Sequence, residues 1–142
     1  MIDQPACIRG KESTNRASYA LAMSMNDGIV VQPADGERLE RGPRYHRILA
    51  ELPELEVIDL RFGPDFEGVP SHSHADHVDS FYVVEGDAEF VVGDEVVRAG
   101  PGTYVAAPVG VAHGFRNVGD GELRMLNAHA PNSGFTRRMR EG

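Results

Sequence analysis

The chain has 142 residues, of which 41% are hydrophobic and 25% are charged, a composition typical of a single soluble globular domain. The net charge of −8 argues against a nucleic-acid partner, because such proteins usually carry an extended basic surface. No run approaches the roughly 18 consecutive apolar residues of a transmembrane helix, so no membrane partner is expected. The single cysteine, Cys7, and the polar N-terminus favour a cytoplasmic location.

Positive charge is concentrated only near the C-terminus, at Arg137, Arg138 and Arg140. A short cluster of this kind is more typical of a solvated tail or a helix end than of a nucleic-acid site. We therefore predict no nucleic-acid binding from it.

Residues 1–28 show no sustained hydrophobic period and contain scattered Ser, Asn, Asp and Gly around one short apolar patch. Disorder, a small N-terminal arm or a misplaced start codon would each explain this pattern. We predict a poorly structured arm over residues 1–28, to which we assign no function, followed by one domain over residues 29–142.

From Ile29 onward, short β-rich runs are separated by turn residues, beginning with IVVQP, YHRILAEL and LEVIDLRF and ending with LRMLNAHA. Runs at this spacing are typical of an all-β sandwich or barrel, and no long amphipathic helix is evident. Glycines that permit positive φ predict hairpins around Gly86 and Gly93.

The run LEVIDLRF has the alternation of a half-buried strand. Ile58, Leu60 and Phe62 share one face, whereas Asp59 and Arg61 share the other. The first face is predicted to point into the core.

The segment GVPSHSHADHVDSFYVVEG contains two histidines, His72 and His74, that are two residues apart. On an extended strand both imidazoles project from the same face. Two neutral imidazoles on one face can bind a transition metal, although surface strands also carry such pairs without one.

A second segment, GTYVAAPVGVAHGFRN, has a Pro-x-Gly unit at Pro108 and Gly110, followed by His113. This unit predicts a tight turn after which His113 begins a returning strand. In a β-barrel such a return lets distant strands direct side chains to one interior point.

Together the two segments resemble the two conserved motifs of the cupin superfamily. The second motif matches at all its defining positions, namely Gly102, Pro108, Gly110, His113 and Asn117. The first matches at His72, His74 and Gly86, with an upstream glycine (Gly68 or Gly63) at imperfect spacing. The resemblance covers about residues 30–130 and implies a small single-domain cupin, a double-stranded β-helix or jelly-roll barrel.

The resemblance also implies one divalent transition metal per chain. The metal is Fe, Mn, Ni, Co, Cu or Zn, and the sequence does not choose among these six. Cupins usually have a glutamate ligand where this chain has the shorter Asp79, and His77 could share its face. Three ligand sets follow, in order of preference. The first is His72, His74, Asp79 and His113, the second replaces Asp79 with His77, and the third is three histidines with water.

The predicted surroundings of the metal are apolar. If Asp79 points inward, so do Phe81 and Val83, and Phe115 follows His113. Such surroundings suit a small organic substrate, although for Val83 we favour a role in the ordinary barrel core.

His129 falls on one strand face with Asn127 and could lie near the cavity as an acid, a base or a hydrogen-bond partner. We favour a partly exposed histidine at the end of the strand instead. His46 is predicted to be structural, and Tyr82 is predicted to face away from the metal.

Three functions remain for this pattern. The first is a dioxygenase-like enzyme acting on a small organic molecule. The second is a metal-dependent isomerase or lyase with a base such as His77 or His129, and the third is a non-catalytic module that binds a small molecule or metal. Cupins of this size often form homodimers, and pairing of exposed edge strands gives a physical reason to expect one here.

Overall fold

Ten β-strands and one α-helix form the regular structure of residues 28–142, the part of the chain that the computed structural model describes. The strands are β1 Arg38–Arg41, β2 Arg44–Glu51, β3 Glu56–Phe62, β4 Val69–His72, β5 Val78–Glu85, β6 Ala88–Val92, β7 Glu95–Ala99, β8 Tyr104–Ala107, β9 His113–Asn117 and β10 Leu123–Ala130. The helix, α1, spans Phe135–Glu141. The predicted all-β fold is confirmed.

The strands form two antiparallel sheets. Six strands pair in the order β1-β2-β3-β10-β5-β8, and four pair in the order β4-β9-β6-β7. Most neighbours are distant in sequence, so that β10 lies between β3 and β5, and β9 lies between β4 and β6. This order brings side chains from both halves of the chain into one interior.

Aromatic side chains fill the core between the sheets. Phe62 stacks on Phe66 with ring centroids 4.1 Å apart, and Phe115 lies 5.4 Å from both Phe62 and Phe81. Val83 is fully buried beside them. Burial of each such side chain stabilises the fold by about 1.5–3 kcal/mol, and the predicted inward direction of Phe81, Val83 and Phe115 is confirmed.

The two predicted hairpins have different outcomes. The turn at Gly93, with φ of 59°, joins the paired strands β6 and β7 and confirms that hairpin. The prediction at Gly86 is wrong, because β5 and β6 belong to different sheets. Gly86, with φ of 94°, turns a corner between the sheets, where an added Cβ would lie 2.5 Å from Glu122 O.

Asp59 lies on the outer face of β3, as predicted, yet it is fully buried. Three arginines cover it: Arg47 and Arg61 approach Oδ2 at 3.4 Å, and Arg124 donates to both oxygens at 3.0 and 3.1 Å. Burial by itself would raise the pKa of Asp59, but the hydrogen bond from Arg124 and the arginine charges hold it below its usual value. Alternation alone did not predict this burial.

The C-terminal cluster of arginines lies within α1. Arg140 donates to both carboxylate oxygens of Glu51 at 2.6 and 3.0 Å, and Arg138 donates to Ser133 O at 2.9 Å. These contacts tie the helix to the end of β2 and to the turn that precedes it.

The chain divides into two compact units, residues 1–37 and residues 38–142. Of the first unit only residues 28–37 are described, and they contain a turn in which Asp35 N donates to Gln32 O at 2.9 Å. The arm predicted over residues 1–28 therefore lies almost wholly outside the described residues. Over residues 28–142, no helix has the length and apolar character needed to cross a membrane.

Candidate metal centre

Two of the predicted histidine ligands are cross-strand partners in the four-stranded sheet. His72 on β4 is paired with His113 on β9, and their ring centroids lie 4.5 Å apart. His72 Nδ1 lies 2.8 Å from Pro70 O, and His113 Nδ1 lies 3.0 Å from Val111 O. Donation from Nδ1 to a backbone carbonyl directs Nε2 of each ring toward the other donors, and a metal would bind this nitrogen in place of its proton.

His74 follows β4 in the loop that leads to β5, and its Nε2 lies 3.3 Å from Asp79 Oδ2. The backbone of this loop is held by the predicted Pro-x-Gly turn. Val111 N donates to Pro108 O at 3.0 Å, and Gly110 N donates to His74 O at 2.8 Å. The second motif thus fixes the position of a histidine that belongs to the first.

The carboxylate of Asp79 is buried, and its two oxygens have different partners. Oδ2 faces His113 Nε2 at 2.9 Å and His74 Nε2 at 3.3 Å. Oδ1 accepts a hydrogen bond from Asn127 at 2.7 Å and lies 3.3 Å from His129 Nε2. Burial would raise the pKa of Asp79, but the hydrogen bonds from His113 and His129 outweigh it and hold the carboxylate ionised.

The donor atoms of His72, His74, Asp79 and His113 all lie within 4.8 Å of one another. Donors bound to a common ion at about 2.1 Å are separated by roughly 3–4 Å, so small side-chain rotations would bring these four into contact with one ion. Three imidazole nitrogens and one carboxylate oxygen also match the ligand preferences of divalent transition metals. The residues present therefore fit a metal ion.

His77 occupies a different place. Its ring stacks on His74 with centroids 4.1 Å apart and lies 5.2 Å from the ring of His129. Its Nδ1 lies 2.8 Å from Asp76 Oδ1, and only 5% of the residue is exposed. Among the described residues, the group of converging donor atoms contains Asp79 and does not contain His77.

His129 is 4% exposed, so the expectation of a partly exposed histidine at the strand end is wrong. The chain turns back after β10, and Phe135 of α1 covers the imidazole at a centroid distance of 5.6 Å. His129 Nδ1 lies 2.8 Å from Glu56 Oε1. Burial would lower the pKa of His129, but hydrogen bonds to Asp79 and Glu56 raise it to about 9.

Glu56 is a site residue that the sequence reasoning missed. It is fully buried and accepts hydrogen bonds from Ser133 N and Oγ and from Thr136 N and Oγ1, at 2.7–3.2 Å. Burial would raise the pKa of Glu56, but these bonds and the one from His129 hold it well below its usual value. The sequence did contain a signal for this burial, because Glu56 has the same strand parity as Ile58 and Leu60 and therefore points inward.

The remaining predicted residues lie away from the donor atoms. His46 is buried against Phe62 and Phe135, at centroid distances of 6.1 and 5.7 Å, in the structural role expected of it. Burial and then the charge of Arg44 lower the pKa of His46 to about 4. Tyr82 is 45% exposed and faces away from the site, as predicted.

Two positions of the second motif region shape the backbone around His113. Asn117 Nδ2 donates to Gly121 O at 2.9 Å and its Oδ1 accepts from Gly119 N at 2.9 Å, which closes the turn into β10. At Gly114 an added Cβ would lie 2.6 Å from Val69 O, so only glycine lets β4 approach β9 this closely. Both features support the pairing of the two strands that carry His72 and His113.

Two packed antiparallel sheets that enclose a His/Asp group able to hold a metal ion define a small β-barrel with a candidate metal site. The family model described as Cupin domain matches residues 59–129, which is half of the chain. The chain belongs to the cupin family.

Among characterised proteins, the chain is similar to quercetin 2,3-dioxygenase from Bacillus subtilis (strain 168), with 25% identity over 119 residues. The match covers 80% of this chain and 33% of that protein, so the chain spans about a third of the relative's length. Among solved structures it is similar to KdgF from a Halomonas species, with a TM-score of 0.71, 21% identity and coverage of 78% of this chain and 99% of that one. An RmlC-like cupin from Shewanella frigidimarina gives a TM-score of 0.67, 20% identity and coverage of 78% and 96%. These structural likenesses show the shared fold.

Proposed function

We propose that the chain binds one divalent transition metal ion through His72, His74, Asp79 and His113 and acts on a small organic molecule with dioxygenase-like chemistry. The observation that carries the proposal is the convergence of four donor atoms within 4.8 Å. Four protein donors leave one position open on a five-coordinate ion, enough to bind a substrate, and two on a six-coordinate ion, enough to chelate one.

A redox-active ion held by His72, His74, Asp79 and His113 would supply the electron transfer that a reaction between an organic substrate and O₂ requires. The chain's own residues supply the surroundings. Phe81 lies 6.3 Å from the ring of His113 and packs on Phe115, so the interior beside the donors is apolar. Apolar walls favour an organic substrate and exclude bulk water.

The similarity to quercetin 2,3-dioxygenase supports an oxygenase over the other chemistries of the fold. Because the match covers only 33% of that protein, we propose a substrate class and no particular substrate. A phenolic or β-diketone compound fits, since its oxygens can occupy the positions that the protein donors leave open.

The test begins with elemental analysis of protein purified without an affinity tag or added metal, beside a His72→Ala/His113→Ala double variant. We expect near-stoichiometric iron, manganese, nickel, cobalt or copper in the first and loss of it in the second. O₂ consumption is then measured with phenolic and β-diketone substrates. Failure of the unmodified protein to bind any of these metals, even after reconstitution, contradicts the proposal.

A metal-dependent isomerase or lyase is the second candidate, and the position of His77 favours it. A buried imidazole beside His74, with Asp76 fixing its Nδ1, has the arrangement of a proton-transferring group. The test measures whether zinc-loaded protein incorporates deuterium from the solvent into the substrate, a reaction that needs no redox-active ion. His77→Gln should abolish incorporation while metal content is retained. Tight substrate binding without turnover in either assay identifies a non-catalytic binding module instead.

We also propose a homodimer formed through edge strands. Tyr104 on the edge strand β8 is 62% exposed, and Val96 on the edge strand β7 is 65% exposed. Exposed apolar side chains on strands that lie at the edges of the described sheets favour association of two copies. Light scattering coupled to size-exclusion chromatography gives the mass directly, and a mass of about 15.5 kDa, that of one chain, contradicts the proposal.

A further inference from the structure

Three buried ionisable residues form one row across the six-stranded sheet. The register pairs Glu56 on β3 with His129 on β10, and pairs His129 in turn with Asp79 on β5. The imidazole bridges the two carboxylates, with Nδ1 2.8 Å from Glu56 Oε1 and Nε2 3.3 Å from Asp79 Oδ1. All three residues are at most 4% exposed.

The row ends on Asp79 Oδ1, the oxygen of the buried carboxylate that faces away from His74 and His113. His129 and Asn127 contact Asp79 Oδ1, whereas His74 and His113 contact Oδ2. A carboxylate held through one oxygen has its second oxygen fixed in direction, because the group is planar. The contacts of Oδ1 thus orient Oδ2 toward the imidazoles.

The other end of the row is held by the first turn of α1 and by the turn that precedes the helix. Glu56 Oε1 accepts from Ser133 N and Oγ, and Oε2 accepts from Thr136 N and Oγ1. These donors follow residue 129, where the match to the family model ends. The anchoring of Glu56 by α1 is therefore a feature of this chain beyond the matched barrel.

We propose that Glu56 and His129 are positioning residues, which orient the Asp79 carboxylate for metal binding and connect it to the C-terminal helix. The inference rests on the proposed function of the site as a metal centre. His129 does not touch substrate in this role, since both of its ring nitrogens contact carboxylates. Outer hydrogen-bond partners of this kind orient ligands and commonly change metal affinity by about 10- to 100-fold when they are removed.

A purely structural role would be to anchor α1, and the chain offers a matched control for it. Glu51 also accepts a hydrogen bond from Thr136 Oγ1, at 2.8 Å, and pairs with Arg140, but its contacts do not reach His129. Glu51→Gln weakens the attachment of the same helix and leaves the contacts among Glu56, His129 and Asp79 in place. His129→Leu does the reverse, because the bonds from Ser133 and Thr136 to Glu56 remain possible.

The experiment measures Co(II) affinity, the visible spectrum of the Co(II)-loaded protein and the melting temperature of the metal-free protein. We expect His129→Leu and Glu56→Gln to weaken Co(II) binding by about 10- to 100-fold and to change the ligand-field bands. His129→Gln, whose amide can still donate to Asp79, should recover part of the affinity. Glu51→Gln should lower the melting temperature while Co(II) affinity stays within about twofold of the unmodified protein.

Equal Co(II) affinity and an unchanged spectrum in His129→Leu and Glu56→Gln overturn the positioning role, as does an equal loss in Glu51→Gln. Absence of Co(II) binding by the unmodified protein overturns the proposed metal centre instead. In that case the nitrogen-15 resonances of His113 in metal-free protein still decide the positioning role. His113 contacts Asp79 through Oδ2, whereas His129 contacts it through Oδ1, so a change at His113 reports a movement of the carboxylate. They should shift in His129→Leu and remain in place in Glu51→Gln, and unchanged resonances in both overturn the inference.

Discussion

Asp79 and His129 face each other as cross-strand partners on β5 and β10, and His129 Nε2 lies 3.3 Å from Asp79 Oδ1. The imidazole is cationic at neutral pH, since its pKa is raised to about 9, and the aspartate is ionised. The register of two central strands therefore places a cationic imidazole beside one oxygen of the Asp79 carboxylate.

Replacement of the carboxylate tests the fourth ligand. Asp79→Ala should lower the metal content, because Asp79 supplies the carboxylate donor of the converging group found among the described residues. His77→Ala should retain the metal, since His77 packs behind His74 and is absent from that group. Metal content by elemental analysis checks both variants, with circular dichroism to establish that each is folded.

The opposite pattern, metal retained in Asp79→Ala and lost in His77→Ala, would mean that His77 is the ligand and that its ring rotates on metal binding. Loss in both variants would mean that His77 supports the site through its stacking on His74.

Gly114→Ala should destabilise the pairing of β4 with β9. The added Cβ would lie 2.6 Å from Val69 O and 2.9 Å from Ser71 N, so the strands must separate, at a cost of about 1–3 kcal/mol. Since His113 is the adjacent residue, metal affinity should fall as well. Urea unfolding and metal titration measure the two effects.

Gly121→Ala is the matched control for that substitution. No atom lies within 4 Å of the position of its Cβ, so the change in the free energy of unfolding should stay below about 0.5 kcal/mol. Equal stability of the two variants would contradict the close approach at Gly114.

Asp59→Asn should lower the free energy of unfolding at pH 7 by about 2 kcal/mol, because the covering arginines lose their buried partner. The pKa of Asp59 is depressed in the folded state, so its stabilisation is complete above about pH 4 and disappears as the pH falls through the folded value. The difference between the two proteins should therefore shrink on acidification. Urea unfolding at pH 7 and at pH 3 checks this, with exposed Asp94→Asn as the control, and a pH-independent difference would refute it.

His46 should make the protein less stable in mild acid. Its pKa is lowered to about 4 by burial and by Arg44, whereas in the unfolded chain it is near 6.5, so the unfolded state takes up the proton first. Stability is then lost as the pH falls from about 6.5 toward 4, by roughly 2 kcal/mol between pH 7 and pH 5. His46→Leu should remove that part of the pH dependence, and parallel unfolding curves for the two proteins would contradict it.

The correct predictions from the sequence concern features that depend on residue spacing within one segment of the chain. Strand parity placed Ile58, Leu60 and Phe62 in the core, and the Pro-x-Gly unit formed the expected turn. The hairpin predicted at Gly86 was wrong, because a glycine with positive φ is equally compatible with a hairpin and with a corner between sheets. Which of the two forms depends on the strands that pair, and those lie elsewhere in the chain.

Periodicity along the sequence indicated the all-β class and the shared strand face of Asp79 and Phe81, and the resemblance of the two motifs to cupins indicated which histidines meet near them. The tertiary structure decided that His77 lies behind His74 rather than beside Asp79, that three arginines bury Asp59, and that His129 connects Asp79 to Glu56. The physical reason is that these contacts depend on the register of β10 against β3 and β5 and on the return of α1 over His129. Such pairings join residues far apart in the chain, such as His129 and Glu56, which are separated by 73 positions, and no local pattern encodes them.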